Sequence, residues 1–301
     1  MRLAIFTKNR SNPAYAAARL GAERAAAPWG AQVTHYVPDT PDDPAQQSAL
    51  VDAALATRPD AFVLSPVHAT RVNGAIARIV EAGIPMVGFV NPIPVGRSVA
   101  YVGADDTRLA YEMGRYLVRH LGAKGTVLVV TGPVESVTSV DRLRGLGDAL
   151  KDEGGIRVVG QLAGDYSRQV ARERVTQWLR HQHAAPDACL VANDIMAMGV
   201  LEALDAAGHR GVAVVGVNAI PEAITAIGQG RMLATADFNA MQMASLATEC
   251  ALRHLRGEPL PAQPIELPVR IVDRGNWADW DLPYDARALL SLDQLLQEVR
   301  P

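Results

Sequence analysis

A βαβ pattern that occurs twice constrains this chain more than any other feature of its sequence. In residues 187–218 an apolar run, Ala188-Cys189-Leu190-Val191, stops on Ala192-Asn193-Asp194. An Ala/Met/Leu-rich stretch follows, Gly208 closes it, and a second apolar run, Val214-Val215-Gly216-Val217, stops on Asn218. Short apolar runs bounded by turn residues read as strands, and the stretch between them has helical length. Strands joined this way run parallel and need cover on both faces. Residues 60–91 repeat the pattern. Asp60-Ala61-Phe62-Val63-Leu64-Ser65-Pro66 parallels Asp187-Ala188-Cys189-Leu190-Val191-Ala192-Asn193. Glu81-Ala82-Gly83 parallels Ala206-Ala207-Gly208, and Met86-Val87-Gly88-Phe89-Val90-Asn91 parallels Val214-Val215-Gly216-Val217-Asn218. A single duplication at about half the chain length predicts two similar lobes with a cleft between them; a solenoid would need several short repeats.

The rest of the chain fits that scheme. Strands are expected at 2–6, 33–37, 61–64, 85–90 and 99–102, with helices at 13–27, 45–56, 70–82 and 107–121. From Gly125 the order restarts, with strands at 126–130, 158–162, 188–191, 212–217, 232–236 and 265–272. Helices are expected at 140–151, 169–181, 195–207, 221–227 and 240–255, and an amphipathic segment at 289–299. The fold class is therefore α/β, two Rossmann-like lobes, each a parallel sheet flanked by helices. No low-complexity tract divides the chain, so the lobes should exchange strands instead of sitting on a tether.

In open α/β sheets ligands bind beyond the carboxyl ends of the strands. Polar residues collect there. Lys8, Asn9, Asn12 and Tyr15 follow the first strand, Ser65 the third, Asn91 the fourth and Asp105 the fifth. The second half supplies Arg142, Tyr166, Asn193, Asn218 and Asp237. These types suit a hydroxyl-rich ligand: Asn both donates and accepts, Asp accepts from two hydroxyls, and Arg offers a planar fork. Aromatic faces such as Tyr15, Tyr166 and Phe238 can cover the C–H side of a sugar or polyol. Structural readings compete: Asn12 and Asp194 serve equally well as helix N-caps. Asn91 and Asn218 also suit turns, Lys8 suits a solvated loop, and the tyrosines suit packing.

Several function classes lack their signatures. No Gly-x-Gly-x-x-Gly follows an early strand, and no phosphate loop or Gly-x-Ser-x-Gly elbow is present. His181-Gln182-His183 lacks the spacing of a zinc helix. We therefore expect no catalytic residue, no metal and no cofactor. A net charge of −3 with no basic stripe argues against nucleic acid. The two cysteines, Cys189 and Cys250, lie in apolar runs and read as core residues. No stretch approaches the ~18 apolar residues of a membrane span, and the apolar run at residues 3–6 is too short for a leader peptide core.

The residues also resemble a known family, the periplasmic sugar-binding proteins of the ribose-binding type, which feed ABC importers. The resemblance spans about residues 2–272. It rests on Asn12-Pro13 with Tyr15, Gly103-Ala104-Asp105-Asp106, Arg142-Leu143-Arg144-Gly145 and Leu233-Ala234-Thr235-Ala236-Asp237. The most specific marks are Asn193-Asp194-Ile195-Met196-Ala197-Met198-Gly199 and Val215-Gly216-Val217-Asn218. It implies a type I periplasmic binding fold whose lobes are joined by three strand crossings, near Ala104, Asp237 and Pro264. Residues 1–104 and 238–263 would form the N-terminal lobe; 105–237 and 264–301 would form the C-terminal lobe with its tail. It implies ligand contacts at Asn12, Tyr15, Asp105, Arg142, Tyr166, Asn193 and Asn218. It further implies closure on one sugar or polyol, an ABC permease as partner, a monomer, and a periplasmic location.

Departures shape the expected ligand. Ribose-like binders carry Asp-Arg where this chain has Val90-Asn91, and two aromatics where it has Ala14-Tyr15. An Asp is common where Asn218 stands. A monosaccharide other than ribose, or an open-chain polyol, is therefore expected. The tail beyond Asp273 is longer than the family pattern, and one of Trp277 and Trp280 should be buried as it packs across the hinge side. The alternative function is the ligand-binding core of a sugar-responsive repressor lacking its DNA-binding headpiece. An α/β enzyme is a third reading, because fold alone does not exclude catalysis.

Overall fold

The computed structural model describes residues 1–94, 97–151 and 153–298, and the chain divides into two compact units. Met1–Ala104, Asn239–Leu267 and Tyr284–Pro301 form the first; Asp105–Phe238 and Pro268–Pro283 form the second.

The first unit opens with strand β1 (Arg2–Phe6), helix α1 (Pro13–Ala26), β2 (Gln32–Tyr36), α2 (Pro44–Ala56), β3 (Ala61–Leu64), α3 (Asn73–Glu81), β4 (Met86–Phe89) and β5 (Ala100–Gly103). The second unit runs from α4 (Asp106–His120) through β6 (Gly125–Thr131), α5 (Val137–Leu150), β7 (Ile156–Ala163), α6 (Arg168–Arg180) and β8 (Ala188–Val191). It continues with α7 (Asp194–Ala206), β9 (Ala213–Val217), α8 (Pro221–Gly228) and β10 (Ala234–Asp237). Then come α9 (Ala240–Leu255), β11 (Ile265–Glu266), β12 (Arg270–Asp273) and α10 (Leu292–Glu298).

Each unit is built on a six-stranded sheet, in the orders β11-β5-β4-β3-β1-β2 and β12-β10-β9-β8-β6-β7. The two orders correspond strand for strand. All pairs in the first sheet are parallel. In the second only β10–β12 is antiparallel. The inner strands β3, β4 and β8 are buried at every position, as strands covered on both faces must be. Phe6 stacks on Tyr36 and Phe62 in the first core. Cys189 and Cys250 are buried in apolar surroundings that push both thiols up to about 12.

Three expectations are corrected. Residues 265–272 do not make one strand. β11 pairs with β5 in the first unit, the chain passes to the second unit after Leu267, and β12 pairs with β10 there. Residues 264–267 therefore belong with the first unit. The tail does not stay with the second unit either: from Tyr284 it belongs to the first, which adds a fourth passage to the three expected. The cause is packing on α9. Leu292 and Leu295 are 1% and 3% exposed, Gln242 exchanges two hydrogen bonds with the Leu290 backbone, and Arg253 holds Asp293 at 2.8 Å. Of the amphipathic segment at 289–299, Val299 lies outside the described residues, as do Arg300 and Pro301. Finally, neither indole is fully buried. Trp277 and Trp280 are half-buried against Ala219, Ile224 and Val272 of the second unit.

The tail contact carries a prediction. Leu292→Ala should lower the stability of the first unit by about 2 kcal/mol, the low end for a buried leucine, read as a shift in urea midpoint. A shift below about 0.5 kcal/mol would mean that the tail does not pack on α9.

Candidate functional site

In the first unit the polar residues gather beyond the carboxyl ends of β1, β3 and β4, which are neighbours in the sheet. Asn12 caps α1, its side chain accepting from the Ala14 N–H at 3.0 Å, with Pro13 in the first turn. The Asn12 N–H donates to the Asn9 side chain. Lys8 is only 4% exposed, and its ammonium stands 3.5 Å from Asp42. Asp42 also accepts from the Asn9 amide at 3.1 Å, and its own N–H reaches the Lys8 carbonyl at 3.1 Å. A buried ammonium needs such a counter-charge. Tyr15 is buried at 7% exposure.

Gln47 holds the turn after β3, donating to the Ser65 carbonyl and accepting from the Val67 N–H, both at 2.9 Å. The Ser65 hydroxyl itself is buried with no hydrogen-bond partner among the described residues. After β4, Val90 adopts a left-handed φ of 65°, and the Asn91 amide donates to the Pro66 carbonyl at 2.7 Å. The Tyr101 hydroxyl donates to the Val90 carbonyl at 2.7 Å.

The second unit is organised by Arg142. Its guanidinium is 3% exposed. Nε donates to Asp106 at 2.7 Å, and Nη1 donates to the Ala192 carbonyl at 2.8 Å. The group lies over the Phe238 ring, 4.8 Å from its centroid. These contacts tie α5 to the starts of α4 and α7 and to the end of β10. Asp105 caps α4 and is exposed. Asn193 is buried and caps α7, accepting from the Met196 N–H at 2.9 Å. The N-cap is therefore Asn193, and Asp194, expected in that role, is the first helical residue. Tyr166 sits at the edge of the core with a left-handed φ of 54°. Asn218 follows β9 at φ 127°, and its N–H donates to the Ala236 carbonyl. Asp237 ends β10 and accepts from the indole N–H of Trp280 at 3.0 Å.

Both sheets thus present polar side chains beyond the carboxyl ends of parallel strands, and residues 3–259 match the family described as periplasmic binding protein domain. The chain belongs to the periplasmic binding protein family. Among its relatives, a xylitol-binding protein of Mycolicibacterium smegmatis is 24% identical over 224 residues. That match covers 74% of this chain and 64% of the relative, so the chain spans just under two thirds of that relative's length. A D-ribose/D-allose-binding protein of Pseudomonas aeruginosa is 28% identical over 242 residues, 76% of this chain and 75% of the relative. Among solved structures, an ABC transporter periplasmic solute binding protein from Actinobacillus succinogenes with bound D-allose superposes with a TM-score of 0.86. It is 25% identical, and the match covers 92% of this chain and 99% of that one. The two α/β units are those of the type I periplasmic binding fold.

Sequence reasoning missed the residues that hold the others. Asp106, in sequence only the last residue of the Gly103-Ala104-Asp105-Asp106 mark, is the buried partner of Arg142. Asp42, in a turn-rich stretch after the second strand, faces Lys8. Gln47 gives no signal inside α2, an Ala-rich helix without a marked apolar face. Trp280 was noted as part of an overlong tail, with no hint that it would reach Asp237. In this periplasmic binding protein that bond has a measurable consequence: Trp280→Phe keeps an aromatic ring and deletes the donor. It should weaken solute affinity at least about tenfold, the low end of the worth of a hydrogen bond to a charged group. An unchanged affinity would remove Asp237 from the site.

Proposed function

We propose that this protein is the solute receptor of an ABC importer and binds a monosaccharide or a sugar alcohol without transforming it. The observation that carries the reading is Arg142, a buried guanidinium held by Asp106 and the Ala192 carbonyl and backed by Phe238. A donor fixed this firmly loses little entropy on gripping a ligand oxygen. The proposed contacts are Lys8, Asn12, Tyr15, Asn91 and, from the second unit, Asp105, Arg142, Tyr166, Asn193, Asn218 and Asp237. Relatives that bind xylitol and D-ribose or D-allose support the ligand class.

Ribose itself fits poorly. Val90-Asn91 supplies no charged pair for ring and anomeric oxygens, and the Asn91 amide is already engaged with Pro66. A different monosaccharide or an open-chain polyol is the better match. Solute would favour whichever conformation of the protein binds it more tightly, because binding shifts an equilibrium only through differential affinity. An ABC permease would read that state. The protein would work as a monomer in the periplasm.

Thermal unfolding against a panel of aldoses, ketoses and alditols tests this. A true solute at 1,000 times its Kd adds about 4 kcal/mol of stability and a clear rise in Tm. No rise with any member, together with turnover of one of them, would overturn the reading.

A further inference from the structure

Asp194 lies among the proposed contacts without being one of them. It is fully buried. Its carboxylate accepts from the Thr235 hydroxyl at 2.8 Å, from the Ile220 N–H at 3.1 Å, and from the Ala219 backbone. Those amides belong to the turn after β9, where Asn218 and Ala219 have left-handed φ values of 127° and 51°. Two such residues in succession, neither of them glycine, are strained, and persist only when their surroundings hold them. Gly216 makes room for the carboxylate: a Cβ there would stand 2.3 Å from Oδ1. The preceding residue, Asn193, caps the same helix.

We infer that Asp194 is a positioning residue for ligand binding: its buried carboxylate locks the 218–220 turn and so fixes the pose of the Asn218 amide. The inference rests on the proposed function, because Asn218 matters only if it touches solute.

Charge is what makes the lock strong. Burial pushes the Asp194 carboxyl up to about 7, while Thr235, the two backbone amides and Arg142 pull it down. Other titratable groups on the packed elements are engaged elsewhere. Asp106 of α4 pairs with Arg142, Asp237 of β10 with Trp280, and Glu222 of α8 and Glu202 of α7 with Arg168. Cys189 of β8 remains a thiol. Acidification through pH 7 therefore protonates the lock and loosens the turn. Stability moves oppositely. A carboxyl with a raised folded pKa contributes stability that is present below its unfolded pKa, near 3.9, and lost as pH rises through about 7.

NMR of the solute-free protein from pH 5 to 8 tests the lock without any solute. The Ala219 and Ile220 amide shifts should titrate near pH 7, and Asp194→Asn should abolish the titration. Should that variant not fold, Thr235→Val, which deletes one donor, should move the midpoint upward. In parallel, affinity for D-allose or xylitol should be about tenfold weaker at pH 5.5 than at pH 8, equivalent to one pKa unit between bound and free protein. Amide shifts flat across this range overturn the inference, as does an affinity that holds constant while they titrate. Titrating amides with no binding of any aldose, ketose or alditol of the panel would instead count against the proposed function, leaving the turn lock standing.

Discussion

Replacing Arg142 with methionine is expected to abolish solute binding and to destabilise the second unit by about 3–5 kcal/mol. Methionine keeps much of the apolar stem of the side chain but takes the guanidinium away from the carboxylate of Asp106, which is 8% exposed. It also leaves the Ala192 carbonyl without the donor it has at 2.8 Å. The pair itself need not stabilise the fold, because desolvating two charges offsets much of their attraction. The double variant Arg142→Met with Asp106→Leu should therefore recover most of the lost stability while binding remains absent. Urea unfolding and calorimetry on both variants separate the two effects. A single variant within about 1 kcal/mol of wild type would show that Asp106 does not depend on Arg142.

The second large effect concerns the helix that carries Arg142. Gly145 lies three residues further along α5, at the crossing with α4. A Cβ there would stand 2.0 Å from the Thr107 carbonyl oxygen and 2.9 Å from the Tyr111 nitrogen. Both are backbone atoms, which cannot swing aside as a flexible side chain would. Gly145→Ala should force the helices apart, cost about 1–3 kcal/mol, and pull Arg142 away from Asp106, weakening binding at least tenfold. Gly147, two residues on, meets nothing within 4 Å. Gly147→Ala should stabilise α5 by up to about 1 kcal/mol through helix propensity and leave binding intact. Equal behaviour of the two variants would contradict the close helix crossing.

The duplicated pattern made the fold legible because it is written in apolar runs. Ala61–Leu64 and Ala188–Val191 are inner strands, buried on both faces, and such strands have little freedom of sequence. Asn12 was legible for a similar reason, since Asn-Pro before an Ala-rich stretch marks a helix start whatever lies around it. The misreadings share a different cause. Asn193 and Asp194 are both good caps, and only the backbone trace decides between them. Residues 265–272 look like one strand because both halves are largely apolar, yet Pro268, which cannot donate to a strand ladder, stands where the chain changes sheet. The tail was assigned wrongly because Leu292 and Leu295 carry no record of which apolar surface they meet. At the candidate site the same divide holds. Polar residues at strand ends could be named one by one, but the pairings Lys8–Asp42, Arg142–Asp106 and Asp237–Trp280 join residues distant in sequence. Pairing of that kind leaves no periodicity to read.

The central claim is that polar groups at the carboxyl ends of the strands hold one small polyhydroxylated solute. Titration calorimetry tests it most directly, using the panel member that raises Tm most, on wild type and on Asn12→Ser and Asn193→Ser. Serine keeps each helix capped and removes only the amide. One solute per chain should bind, and each substitution should weaken that binding at least tenfold. Two solutes per chain, or an affinity indifferent to either substitution, would contradict the account.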